Sequence, residues 1–210
     1  MSARKLVSSI PEGNEANLLD GTSLTRAALL RRTKKQIIGD MVKIINNDDL
    51  SYGTKYFCLH DAIWKWTEHE GKLEAGPRTE RTGCPYWSEG ALSLIEKRNK
   101  RPGLGALLRH EHVVPRVMVV DKILGFPPAS ESWTEKKLAA LFKKFCVGVV
   151  VTTAEDVELS KSFHKVMPTG WTWSKGSPWA RYKANKLKVF EASVTWSSGK
   201  FIVKKVKKAY

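Results

Sequence analysis

Acidic residues are scarce: 21 Asp and Glu face 36 Lys and Arg, leaving a formal net charge of +15 and a pI near 9.8. That imbalance argues against an acidic, self-solvating chain and points to a polyanionic partner, because each neutralised phosphate releases condensed counterions without any base-specific contact. A merely solvated basic surface, or one that touches anionic lipid, is the plainer alternative. Cysteine is also scarce. Cys58, Cys84 and Cys146 stand far apart with no CxxC pair, which excludes the usual zinc knuckles and dithiol redox motifs and fits reduced thiols. No run of about 18 apolar residues occurs, and MSARKLVSSIPEGNEANLL lacks the apolar core of a signal peptide. A cytoplasmic location and no membrane are the expectations. The pattern GxxxxGK[ST] is missing, no GxGxxG precedes a helical segment, and no GxSxG is found, which disfavours nucleotide-driven motors, dinucleotide enzymes and serine hydrolases.

What is present is ordinary for a folded protein: 210 residues, 42% hydrophobic and 27% charged, enough for one main core without staples. The expected fold class is α+β, with a helical N-terminal half, a central strand-insertion-strand-helix unit and a small β-rich C-terminal region. Residues 1–22 mix Ser, Pro, Gly, Asn and acids without periodicity and read as an irregular arm. The main domain is expected over 23–168. From Ser23, the segment LTRAALLRRTKKQIIGDMVKII places Leu29, Leu30, Ile37, Ile38, Met41 and Ile45 on helical spacing. After the turn-prone Asn46 to Asp49, Leu59, Ile63 and Trp66 predict a second helix packed on the first. A Gly-, Pro- and Arg-rich loop over 71–85 follows, then a helix through ALSLIEKR that ends in the basic cluster Lys97, Arg98, Lys100 and Arg101.

The centre changes character. HEHVVPRVMVV is β-branched around a proline, TEKKLAALFKKF reads as a helix, CVGVVVT as a buried strand, and AEDVELSKSFHK as a helix. Over 169–210 the composition shifts to Trp, Lys and short alternating segments, a basic β-type region with FIVKKVKK as its last strand or tail.

His110-Glu111-His112-Val113-Val114-Pro115 is the candidate chemical centre. If Arg109 to Pro115 is extended, His110 and His112 point to one face and Glu111 to the other. Pro115 ends the strand and aims the chain into a loop, leaving three groups suited to metal binding or proton transfer at a strand end.

Glu111-His112-Val113-Val114-Pro115 resembles the first strand of the HNH, or ββα-metal, nuclease family. Val149-Val150-Val151-Thr152, followed by Glu155-Asp156 and Leu159, is similar to the second strand and helix. The resemblance covers the segments 109–116 and 146–164 and implies metal-assisted phosphodiester hydrolysis. By that likeness His112 and His110 are the catalytic residues: His112 activates water, and His110 serves as a third ligand or phosphate contact. Glu111 and Asp156 hold a divalent cation, Mg²⁺ or Mn²⁺. The departures are specific. Asp156 stands where the family has His or Asn, a helical insertion separates the two halves, and no Asn lies between Pro115 and Asp156.

Aromatic and basic residues interleave near the C-terminus, a pattern that suits base stacking with phosphate binding, although Trp and Tyr are also ordinary core residues. Arg109, Arg116, Lys175, Arg181, Lys183 and Trp179 are the candidate nucleic-acid contacts, with DNA favoured over RNA. The functional expectation is a nucleic-acid-binding protein acting as an HNH-like endonuclease. The alternatives are a non-catalytic DNA- or RNA-binding protein, including a degenerate nuclease scaffold, and an inhibitor of an acidic protein partner.

Overall fold

The computed structural model describes residues 33–68, 84–98, 104–125, 132–198 and 200–210. The arm 1–22, the first stretch of the helix expected from Ser23, the loop over 71–83, and Lys100 and Arg101 lie outside them. Helix α1 (Lys34–Ile45) begins at a capping box: Thr33 Oγ1 accepts from the Gln36 amide at 3.2 Å, and Gln36 Oε1 accepts from the Thr33 amide at 2.8 Å. Its start corrects the expectation of one helix running from Ser23: Thr33 is extended, at φ −70° and ψ 159°, and the helix begins after it; the buried Ile37, Ile38, Met41 and Ile45 fall where their spacing predicts. Helix α2 (Tyr52–Glu68) packs on it through Leu59, Ala62, Ile63 and Trp66.

Two more helices complete this cluster. Helix α5 (Arg116–Leu124) contributes Val119, Val120, Ile123 and Leu124, and α6 (Glu135–Phe145) contributes Leu138, Phe142 and Phe145. The helix at Arg116 corrects the expectation that the chain stays extended or turns into a loop after Pro115. Pro115 sits at the N-cap, where its missing amide costs nothing, and its carbonyl accepts from Met118 N at 3.0 Å. Burial at positions one and four apart outweighs the strand preference of the valines.

The remaining elements in chain order are β1 (Tyr86–Ser88), α3 (Glu89–Arg98), α4 (Leu104–Leu107), β2 (Leu108–His112), β3 (Gly148–Thr152), α7 (Thr153–Phe163), α8 (Ala180–Ala184), β4 (Val189–Ser197) and β5 (Lys200–Lys208). Helices α4, α5 and α6 thus fall around β2 and before β3. The five strands form one sheet in the order β2-β3-β1-β4-β5, with β1 and β3 parallel and the other pairs antiparallel. The hairpin of the Trp- and Lys-rich C-terminal segment therefore joins the same sheet, where β4 pairs with β1. Residues Thr33–Tyr210 make up one unit.

Alternation along the strands gives the sheet two buried faces. Ala91, Leu92 and Ile95 of α3 cover Trp87, Leu108, Val150, Ala192 and Val194 on one face. On the other, Leu159 of α7 and Tyr182 of α8 pack against Val149, Val151 and Val189. The central run Val149-Val150-Val151 is fully buried, as befits a strand covered on both sides. Among the described residues no helix is long and apolar enough to cross a membrane.

Candidate functional site

Strand β2 carries the His-Glu-His segment, and its pairing with β3 divides the segment in two. His110 lies opposite Val150 and His112 opposite Gly148, while Glu111 lies opposite Val149. The two imidazoles share the face that meets the end of α2, and the carboxylate points toward α7 and α8.

On the histidine face the rings of His110 and His112 stack, with centroids 4.9 Å apart and planes 13° from parallel. Trp64 of α2 packs on both, at 4.7 Å from His110 and 5.6 Å from His112. Room for this stack comes from Gly148: a Cβ there would lie 2.5 Å from His110 Nε2 and 2.9 Å from Thr67 Cβ. Thr67 Oγ1 donates its only proton to Trp64 O at 2.9 Å and stands 3.3 Å from His112 Nε2. With the Thr67 proton on Trp64 O, Thr67 Oγ1 accepts from Nε2 of His112 and Nδ1 is the basic nitrogen. Burial holds the His112 pKa well below the usual histidine value, and nearby His110, Arg116, His60 and Arg181 push it the same way. His112 is neutral at neutral pH.

Arg116 closes this side. Its guanidinium lies 4.8 Å from the Trp64 ring centroid, and its Nη1 lies 3.2 Å from His60 Nδ1. His60 in turn stacks on Tyr56 at 5.8 Å and 15°. Burial and then Arg116 lower the His60 pKa, which lets a neutral His60 Nδ1 accept from the guanidinium. Three histidines, one arginine and one tryptophan thus form a partly accessible cluster. Asp61 is the carboxylate that opposes these effects at both His60 and Arg116.

On the other face Glu111 is already answered. Arg181 Nη1 donates to Glu111 Oε1 at 3.1 Å and to His112 O at 3.1 Å, and the Tyr182 hydroxyl donates to Glu111 Oε2 at 2.8 Å. Arg181 is 1% exposed and Tyr182 is fully buried. Adjacent residues of the short helix α8 thereby satisfy both oxygens of one carboxylate. Burial raises the Glu111 pKa while Arg181 and Tyr182 pull it down and Asp156 pushes it up; the net direction is upward. Tyr182 is held well above its usual value by burial and by Glu111.

The structure brings some of the expected residues together and separates others. Asp156, in the first turn of α7, lies on the Glu111 side and acts on both Glu111 and Tyr182. His112 lies on the opposite face, so Glu111 and His112 do not converge on one cation. A divalent ion at Glu111 would also sit beside a buried guanidinium, and the donor set does not fit that ion as assigned. Among the described residues no group of three or more His, Cys, Asp or Glu is placed to hold a metal ion.

The expected nucleic-acid contacts divide as well. Arg181 faces inward as the counter-ion of Glu111, because its guanidinium replaces water with two fixed acceptors. Trp179 is half-buried among Tyr86, Tyr182 and Tyr210, at centroid distances of 5.2, 5.8 and 5.2 Å. Arg109 is half-buried and donates to Leu108 O at 3.2 Å. Lys175 and Lys183 are exposed. Residues that the sequence reading passed over are His60, Trp64 and Thr67; Tyr182 figured in it only as one of the C-terminal aromatics. His60 and Trp64 are four apart on one helix, a spacing visible in the sequence, but nothing local ties that stripe to a strand some fifty residues on. Comparison with protein families, with curated proteins and with solved structures returns no match to this chain.

Proposed function

We propose that this protein binds nucleic acid, DNA before RNA, through its basic surface, and that its strand-insertion-strand-helix unit is a scaffold without the metal centre assigned from its sequence. The observation that carries the reading is the display of charge. Lys204, Lys205, Lys207 and Lys208 are exposed on β5 at the sheet edge, and Lys183, Lys186 and Lys188 are exposed on the segment leading into β4. Lysines on an edge strand also deter strand addition, but that role does not account for the three on the preceding segment. The pairing of Glu111 with Arg181 and Tyr182 supports the scaffold half of the proposal.

The test is titration of labelled duplex and single-stranded DNA and RNA with the full chain over a range of salt. Log affinity should fall linearly with log salt, with a slope of about −0.9 per phosphate neutralised on duplex DNA. Absence of binding at low salt, or binding indifferent to salt, defeats the reading. A second reading is phosphodiester cleavage at the histidine face, favoured by the neutral His112 stacked on His110 beside Arg116. Incubation of plasmid and RNA with Mg²⁺, Mn²⁺ or EDTA decides it: nicking by the parent protein that vanishes in His112→Ala would replace the scaffold reading.

A further inference from the structure

A cavity of about 290 Å³ opens where the end of α8, the start of β4 and the end of β5 meet, and Lys183, Lys186, Lys188 and Lys208 line it with Leu187 and Tyr210. Four lysines on the lining of one small space give it a positive potential. Among the described residues the region's ion pairs are Lys188 with Glu89 at 3.2 Å and Lys207 with Glu191 at 3.4 Å; Lys183, Lys186 and Lys208 take part in none. Three of the four lining lysines therefore bring charge to this surface with no Asp or Glu among the described residues paired to them.

The backbone beneath them is specific. Leu187 N donates to Tyr182 O at 3.0 Å and Lys186 N to Lys183 O at 3.0 Å, which is a Schellman ending of α8. The left-handed position of that motif usually takes glycine. Here it is Lys186, with φ 55°. An ordinary side chain is strained in that conformation, and the surroundings hold it there. The Tyr210 hydroxyl donates to Leu187 O, and Lys183 Nζ lies 5.5 Å from the Tyr210 ring centroid. Tyr210 also packs on Trp179. The wall of the cavity is thus partly aromatic, and Lys186, at the left-handed position, is one of its lining residues.

We infer that this cavity seats a phosphate group of a nucleic-acid strand, held by Lys183, Lys186, Lys188 and Lys208, with Tyr210 as the apolar wall beside the adjoining sugar or base. The inference rests on the nucleic-acid reading above and adds the place of contact. Lysine suits the role as a set of compact point charges that need no bidentate geometry.

The experiment uses the full chain and a labelled single-stranded DNA oligonucleotide over a salt series. Lys186→Ala/Lys208→Ala should lower the magnitude of the salt slope by up to about 0.7, the increment for the one phosphate the cavity seats on a single strand. Lys136→Ala/Lys143→Ala, exposed on α6, is the charge-matched control and should change the slope less. Lys186→Gly separates binding from backbone strain: glycine suits the left-handed position, so Tm should hold or rise while affinity at low salt falls and the slope shrinks by less than about 0.7. Amide shifts of Leu187 and Lys188 on adding inorganic phosphate or the oligonucleotide tell the two sources apart. Shifts with the oligonucleotide support the seat; shifts with phosphate alone overturn it in favour of a small-anion site. Equal slopes for the cavity and control variants overturn the seat and leave nucleic-acid binding standing. A parent protein that binds no oligonucleotide overturns both.

Discussion

Arg181 shows at single-residue scale how a charge can be structural. Its guanidinium is 1% exposed, and Nη1 donates to both Glu111 and the carbonyl of His112 while Nε is buried without a hydrogen-bond partner among the described residues, so the pair ties β2 to α8. Removing one partner of such a pair leaves an uncompensated buried charge. Arg181→Met should therefore cost about 3–5 kcal/mol in chemical denaturation, and Glu111→Leu/Arg181→Met should recover much of it. A single variant within about 1 kcal/mol of the parent would show the pair to be dispensable. His112 carries a pH signature. Its folded pKa is depressed, so its contribution is fully present above the unfolded value of about 6.5 and is lost as pH falls toward the folded pKa. Between about pH 7.5 and 5.5 the parent should lose stability on acidification, with His112 supplying up to about 1.4 kcal/mol per pH unit below its unfolded pKa. His60 acts in the same direction. His112→Gln should flatten the profile of Tm against pH; an unchanged slope would assign the acid sensitivity elsewhere.

Among the elements, the N-termini of α3 and α7 are joined through one carboxylate. Glu155 Oε2 accepts from Thr152 N at 2.8 Å, Thr152 Oγ1 at 2.9 Å and Ser88 Oγ at 2.6 Å, while Ser88 Oγ accepts from Ala91 N at 3.0 Å. Gly90 makes room, since a Cβ there would lie 2.6 Å from Glu155 Oε1. Thr152→Ala should cost about 0.5–2 kcal/mol, the usual loss of an N-cap. Because Ser88 and Thr152 share Glu155, the double variant should depart from additivity by at least about 0.5 kcal/mol. Strict additivity, measured by denaturation of all four proteins, would mean the two helix starts are independent. Helix α1 was legible in its apolar spacing but not in its start, which the cap at Thr33 sets at Lys34 and not near Ser23; α7 was legible as a helix-like segment after the buried strand, although Leu159 is its buried residue. Helix α5 was not, since Arg116–Leu124 has strand-like composition and only its packing against α1, α2 and α6 selects the helix.

For the whole molecule, the sheet order makes the C-terminal hairpin and the middle of the chain interdependent. Strand β1 has three residues and lies between β3 and β4, with Trp87 buried beside Ala192 and Val194. A chain ending at Lys188 would expose the long edge of β1 and strip that core. It should lose the cooperative thermal transition seen by circular dichroism, because so short a strand lacks the contacts to hold its place alone. A sharp transition in the truncated chain would show the hairpin to be an independent addition.

Composition and local pattern alone determined the basic balance, the α+β class, most helix positions, the buried strand at Val149 to Val151 and the two-faced division of His110, Glu111 and His112. These follow from charge counting and from the periods of helix and strand, which are short-range properties. The roles of those three residues were decided by tertiary structure. Arg181 and Tyr182 lie some seventy residues from Glu111 in sequence, and His60, Trp64 and Thr67 about fifty from the histidines. Contacts over such separations are set by how strands register and helices pack, and no local pattern records that Arg181 turns inward to neutralise Glu111 instead of outward to meet phosphate.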